Sequence, residues 1–161
     1  MLCFDIFVDF YSRLFTSSTP HDIDRVLEVV RLVVSSSMNA ELSKPYTREE
    51  VDMAIKNMAS MIALGPNGMP PIFYQTFWPD IGLEVLDVVL LCLNSGTLLK
   101  SINHTFITFT PKANNPESVT EFRPISLCNV IYKILSKVIV NRLKPILNSI
   151  ISKAQSAFIV D

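Results

Sequence analysis

The stretch His104-Thr105-Phe106-Ile107-Thr108-Phe109-Thr110-Pro111-Lys112, followed across a polar loop by Phe122-Arg123-Pro124-Ile125-Ser126-Leu127, is where the hydrophobic period of this chain changes. Threonine, isoleucine and phenylalanine side chains pack well on a pleated surface, and Pro111 closes the run, so residues 104–110 are expected to form a strand. Ala113 to Thr120 is polar and reads as a loop. Phe122 to Leu127 is expected to form a second strand, with Pro124 near an edge because proline has no N–H to give to a ladder. These two segments predict one antiparallel hairpin.

Working outward, the remaining periodicity is helical. Apolar and aromatic residues up to Phe15 (Phe4, Phe7, Phe10, Tyr11) recur at three- and four-residue spacing. Thr19 and Pro20 look like a cap and first-turn proline, and Ile23, Val26, Leu27, Val30 and Val33 form a stripe running up to the serine cluster 35–37. Thr47-Arg48-Glu49-Glu50 has the spacing of a capping box, with Val51, Ala54, Ile55 and Met58 as the buried face behind it. Gly65-Pro66-Asn67-Gly68 breaks the chain, and Pro70-Pro71 can open a short helix through Phe73, Tyr74, Phe77 and Trp78. A further helix is expected from about Ile81 to Asn94, capped near Gly96. After the hairpin, Ile131, Ile134, Leu135, Val138 and Ile139 mark a long amphipathic helix from Asn129 to about Lys144, with Lys133, Lys137 and Arg142 largely off that face. A final short helix is expected over Ile150 to Phe158. The fold class is therefore α+β and predominantly helical, with helices packed around one antiparallel β-hairpin.

Composition narrows the functional classes. The 161 residues fit one domain, which at that length buries roughly 70% of its unfolded surface. Charged residues are 18% of the chain against about 25% in a typical domain, so either some surface meets another domain or the chain is poorly soluble. The net charge of −1 conceals an asymmetry. Residues 1–99 carry six Lys and Arg against twelve Asp and Glu, a balance of −6; residues 100–161 carry eight against three, a balance of +5. A basic C-terminal third points toward an anionic partner, with a chance excess of solvated lysines as the alternative. Cys3, Cys92 and Cys128 are odd in number and far apart, which indicates neither a disulfide framework nor a zinc site. His21 and His104 have no ligand at metal-binding spacing. Asp5 and Asp9 precede the first basic residue, Arg13, the wrong order for a signal peptide. The longest apolar stretch, Val85 to Leu93, is interrupted by Asp87 and is about half a membrane span. The expectation is a reduced, intracellular protein, the nucleus included, with no membrane partner.

On residues alone, the hairpin carries the most chemistry. Lys112 follows one strand and Arg123 opens the next, so pairing brings both cations to one end. A compact ammonium beside a forked guanidinium can hold phosphate oxygens. Two solvated charges flanking a turn are the alternative, which the residues alone leave open.

The order of several blocks adds a resemblance. Phe122-Arg123-Pro124-Ile125-Ser126-Leu127-Cys128-Asn129, then Tyr132-Lys133-Ile134-Leu135-Ser136-Lys137 and Asn141-Arg142-Leu143-Lys144, resembles the signature of plant LINE-type (non-LTR) retrotransposon reverse transcriptases. Leu14-Phe15-Thr16-Ser17-Ser18 resembles the segment linking their endonuclease to the polymerase. Gly65 to Pro71, with Phe73-Tyr74 and Phe77-Trp78, resembles their first fingers motif. Thr108-Phe109-Thr110-Pro111-Lys112 resembles their strand ending in Pro-Lys, and Gln155-Ser156-Ala157-Phe158 resembles the last block before the palm.

The resemblance implies a helical linker or N-terminal extension over 1–45 and a partial reverse transcriptase domain, the fingers, over 46–161. Lys112 and Arg123 would grip the triphosphate of an incoming nucleotide. Lys133 and Lys137, with Arg142 as a weaker candidate, would face the template–primer backbone. Gly65, Pro66, Asn67 and Gly68 would shape a template-side turn, an ordinary tight turn being equally compatible. The implied partners are an RNA template, a DNA primer, a nucleoside triphosphate and an intact reverse transcriptase on which such a module could dock.

The sequence departs from the family where Lys-Ala-Pro-Gly-Pro-Asp-Gly is usual. Here Ile62-Ala63-Leu64-Gly65-Pro66-Asn67-Gly68 stands in its place, Thr110 replaces the usual Ile, and Ile159-Val160-Asp161 replaces a Gly-Arg continuation. Such changes look like drift in a copy not held to activity. Polymerisation needs two divalent metals clamped by closely placed aspartates. No Asp-Asp pair occurs, and after Asp87 the only acids are Glu117, Glu121 and Asp161. Glu117 and Glu121 read as solvated loop residues. The expectation is a fragment without catalytic or metal-binding residues, unable to hold Mg²⁺ without the palm, exposing an apolar face along the long helix and at Ile150–Ile151 and Phe158–Ile159. A helical protein-interaction module and a stand-alone nucleic-acid-binding protein are the competing readings.

Overall fold

The computed structural model describes residues 3–18, 23–28 and 32–151. Among them the order is α1 (Cys3–Phe15), α2 (Ile23–Leu27), α3 (Ser36–Leu42), α4 (Arg48–Lys56), α5 (Pro71–Thr76), α6 (Trp78–Ser95), α7 (Lys100–Asn103), β1 (Thr105–Pro111), a 3₁₀ turn (Val119–Glu121), β2 (Phe122–Cys128) and α8 (Val130–Ile150). β1 and β2 form a two-stranded antiparallel sheet, so the fold is helix-rich α+β with one hairpin. The chain divides into two compact units: Met1–Leu32 with Ile107–Ile125, and Val33–Phe106 with Ser126–Asp161.

In the second unit, five helices supply the core. α4 buries Val51, Ala54 and Ile55; α6 buries Val85, Leu86, Val89 and Cys92; α8 buries Val130, Ile134, Leu135 and Val138, joined by Tyr74 of α5 and Ile102 of α7. Local chemistry sets the ends of these helices. At the start of α4, the Thr47 N–H donates to Glu50 Oε2 at 2.9 Å, closing the box that the sequence spells. Pro79 stands in the first turn of α6, and Gly96 ends it at φ 68°, where an L side chain would be strained. Asn129 starts α8. Its Oδ1 accepts from the Tyr132 N–H at 3.0 Å while its Nδ2 donates to the Ile102 carbonyl at 2.7 Å, so the one buried polar side chain among the described residues is satisfied on both sides.

The first unit is held by rings. Tyr11 of α1 is 6% exposed, stacks on Phe109 of β1 at 5.0 Å, and donates its hydroxyl to the Phe122 carbonyl at 3.0 Å. Phe7 packs tilted on Phe109 at 4.6 Å and edge-on to Phe122 at 5.1 Å. The three- and four-residue spacing of aromatics in α1 is thus the face that covers the hairpin's distal half.

Three expectations are corrected. The serine cluster opens a helix instead of ending one, because the Ser35 hydroxyl accepts the Met38 N–H at 3.2 Å and caps α3. The stripe beginning at Ile23 forms a helix only to Leu27 among the described residues. α8 runs on through Pro145 to Ile150, since a helix already formed loses one hydrogen bond at a proline and needs no fresh nucleation beyond it. The helix expected over Ile150 to Phe158 lies almost wholly outside the described residues.

Candidate nucleotide and nucleic-acid interface

The hairpin brings Lys112 and Arg123 together in the first unit. The Lys112 N–H donates to the Glu121 carbonyl at 2.7 Å, which fixes the register of the strands beside the loop. The Lys112 ammonium is tethered to the Thr120 carbonyl at 2.6 Å, leaving it donors to spare. Arg123 is exposed and makes no hydrogen bond or ion pair within the described residues. Both side chains line one cleft of about 240 Å³ with Phe10, Tyr11, Leu14 and Phe122.

Glu121, expected to be a solvated loop acid, organises the turn. Its carboxylate accepts the N–H groups of Glu117 at 2.6 Å and Ser118 at 3.0 Å. Those bonds hold its carboxyl below the ordinary glutamate range, and the Lys112 charge adds to them. The loop is ordered from within, so the cation beside it is carried on a defined backbone.

In the second unit the turn 65–68 closes with the Gly68 N–H on the Gly65 carbonyl at 3.0 Å. Gly65 is buried against the junction of β2 and α8: a Cβ there would stand 2.3 Å from the Cys128 carbonyl oxygen and 2.5 Å from the Asn129 nitrogen. Asn67 Nδ2 reaches the Tyr74 hydroxyl at 3.3 Å. Lys133 is tied to the same segment, its ammonium donating to the Ala63 carbonyl at 2.6 Å. Lys137, one turn on, is half-buried and makes no hydrogen bond or ion pair among the described residues.

Arg142 departs from expectation. Its side chain is 10% exposed and paired with Glu50, Nε to Oε1 at 2.9 Å and Nη2 to Oε2 at 2.6 Å. Nη1 donates to the Leu42 and Lys44 carbonyls, Nη2 also to Pro45, and the guanidinium lies over the Tyr46 ring at 3.5 Å. With five N–H groups and five acceptors, nothing is left for a phosphate. The residue lies off the main apolar stripe of α8, but the segment before α4 covers it. No sequence pattern signals this, because the partner carboxylate is 92 residues away.

Glu50 therefore accepts from both a helix N–H and a guanidinium. The Arg142 hydrogen bond holds its carboxyl below the ordinary value of 4.5, partial burial opposes that, and the Thr47 N–H supports it. A depressed folded pKa means the stabilisation is intact above about pH 4.5 and is lost as pH falls through the lower folded value. Thermal melts from about pH 6 down to about pH 3 should show a fall in stability that Glu50→Gln reduces; identical pH slopes for the two proteins would refute the assignment.

Among the described residues, no three His, Cys, Asp or Glu side chains converge as metal ligands, and no helix is long and apolar enough to cross a membrane. Exposed apolar residues on α8 include Ile139 (40%), Val140 (49%) and Ile150 (37%). Phe158–Ile159 lies outside the described residues.

No family model matches the chain. Over 124 residues, 77% of its length, it is 31% identical to the transposon TX1 uncharacterized 149 kDa protein of Xenopus laevis. Over 145 residues, 89% of its length, it is 24% identical to the retrovirus-related Pol polyprotein from type-2 retrotransposable element R2DM of Drosophila melanogaster. The chain spans 10% and 13% of those proteins. Its relatives are thus transposon and retrotransposon proteins, one of them a Pol polyprotein, which supports a retrotransposon origin.

Proposed function

We propose that these 161 residues are the fingers portion of a non-LTR, LINE-type reverse transcriptase of plant-like sequence. On this reading they contact nucleotide and template–primer but do not polymerise by themselves. The observation that carries the reading is the pair of cations, Lys112 and Arg123, lining one cleft at the end of the hairpin. Lys112 supplies a point charge and Arg123 an unspent fork, the combination that suits a triphosphate. In the second unit, taken by itself, Lys133 and Lys137 would meet a phosphate backbone and the turn 65–68 would border the template. Arg142 is left out because its N–H groups are committed elsewhere.

Catalysis would require two magnesium ions held by clustered aspartates. The sequence offers no Asp-Asp pair, and its last 74 residues contain only Glu117, Glu121 and Asp161 as acids. Glu121 is moreover occupied by two backbone N–H groups. The chain would therefore bind without turning over.

Binding to an RNA–DNA primer–template should fall in the non-specific range, about 10⁻⁴ to 10⁻⁶ M at physiological salt, and weaken steeply as salt rises. Charge reversal at Lys112, Arg123, Lys133 and Lys137 should abolish it, and primer extension with Mg²⁺ should not be detected. Tight, salt-insensitive binding, or extension of a primer by the chain alone, would overturn the proposal. A protein-interaction module docking on an intact reverse transcriptase is the second reading, favoured by exposed Leu83 and Leu91 on α6 (63% and 65%). It predicts partner binding that survives the same charge reversal.

A further inference from the structure

The cleft beside Lys112 and Arg123 is more than a pair of charges. Its lining is largely apolar, and α1, which lies far upstream of the hairpin in sequence, supplies much of it: Phe10, Tyr11 and Leu14 line the cleft together with Phe122, Pro124 and the two basic residues. Tyr11 is fixed there by its hydroxyl bond to Phe122 and its stack on Phe109, so this part of the lining is rigid. Phe10 is only half-buried and stands perpendicular to Tyr11, at 89° and 5.0 Å, with no parallel stack to any ring among the described residues. Leu14, which also lines the cleft, is 60% exposed. An apolar side chain and a ring face left open beside two cations offer a flat group a surface to cover.

We infer that α1 and the hairpin form a subsite for one nucleotide unit: a base lies on Phe10 and Leu14 while its phosphate meets Lys112 and Arg123. The inference rests on the reading of those cations as phosphate ligands and adds to it a base-contacting role for α1. Size agrees. The cleft is small, about 240 Å³ against the roughly 300–1,000 Å³ of drug-sized sites, so it would hold one nucleotide unit at most. The chemistry agrees as well, because aromatic side chains beside cations recognise any base without reading its edges. The base could belong to a single strand or to a free nucleotide, and the two sources differ in how they compete.

The test uses the full 161-residue chain and fluorescence anisotropy. One probe is a labelled 12-nucleotide single strand; the other is an abasic strand of equal length and charge. The base-bearing strand should bind about tenfold tighter, about 1.4 kcal/mol, within the range of one stacked base. Phe10→Ala should erase that difference while leaving abasic binding unchanged. Leu14→Ala, at an exposed position that folding tolerates, should reduce it about threefold. Competition by dATP at concentrations where tripolyphosphate is inert would identify a free nucleotide as the source; competition only by strands would identify single-stranded nucleic acid. Equal binding of the two strands overturns the subsite but leaves the phosphate-binding reading standing. If neither strand binds and charge reversal at Lys112 and Arg123 changes nothing, both fail. Preference for phosphatidylserine vesicles over either strand would overturn the subsite in favour of a lipid surface.

Discussion

Replacing Gly65 by alanine is expected to lower the stability of the second unit by about 3 kcal/mol, the upper end of overpacking penalties. At this chain length that corresponds to a fall in Tm of roughly 6–12 °C. The added methyl group would sit 2.3 Å from the Cys128 carbonyl oxygen and 2.5 Å from the carbonyl carbon and the Asn129 nitrogen. All three are backbone atoms, so no rotamer change relieves the clash. Either the turn must withdraw from the β2–α8 junction or the junction must open. The latter would pull Asn129 away from the Ile102 carbonyl and the Tyr132 N–H that it caps. Gly68→Ala is the internal control. It has open space around its Cβ position but a φ of 66°, so it should cost only the conformational penalty of about 1–2 kcal/mol. Parallel thermal melts decide the matter: equal effects at the two glycines would refute the buttress.

Arg142→Met is expected to cost about 2–3 kcal/mol while leaving the affinity of the folded protein for nucleic acid unchanged. Removing one partner of a buried ion pair typically costs 3–5 kcal/mol, and the 32% exposure of the Glu50 side chain lowers that through solvent screening. The carbonyls of Leu42, Lys44 and Pro45 would lose their donors in the same step. Arg142→Lys should recover less than half of the loss, because one ammonium cannot reproduce a planar fork that serves five acceptors. Denaturant titration measures the first effect, and anisotropy on the folded variant measures the second. A variant within about 0.5 kcal/mol of the parent, or one that folds normally and loses binding, would return Arg142 to the nucleic-acid face.

Local signals were readable from the residues. The Thr47–Glu50 box, the turn at Gly65–Gly68, the cap at Gly96 and the switch from helical to strand period at the hairpin each depend on side chains within a few positions of one another. The serines at 35–37 show where such signals are ambiguous. A serine is a poor helix interior residue and a good N-cap, and only the following turn decides which applies. The end of α8 was ambiguous for a related reason: the helix expected to stop at about Lys144 continues through Pro145 to Ile150. The sequence could place Lys112 and Arg123 at one end of a hairpin by register alone. It could not show that α1 lines the same cleft, nor that Glu50 consumes Arg142, because both depend on segments about a hundred residues apart meeting in space.

Among the described residues each strand of the hairpin has a neighbour on one side only, and Phe106, Ile107 and Ile125 are half or nearly half exposed. A ladder with free N–H and C=O groups invites another extended chain to join it, and Pro124, Lys112 and Arg123 are the features here that discourage such joining. The same two cations that suit a phosphate therefore also keep copies of the hairpin apart. Neutral replacements at Lys112 and Arg123 would remove both protections together and confuse weakened binding with self-association. Acidic replacements keep the repulsion and separate the two.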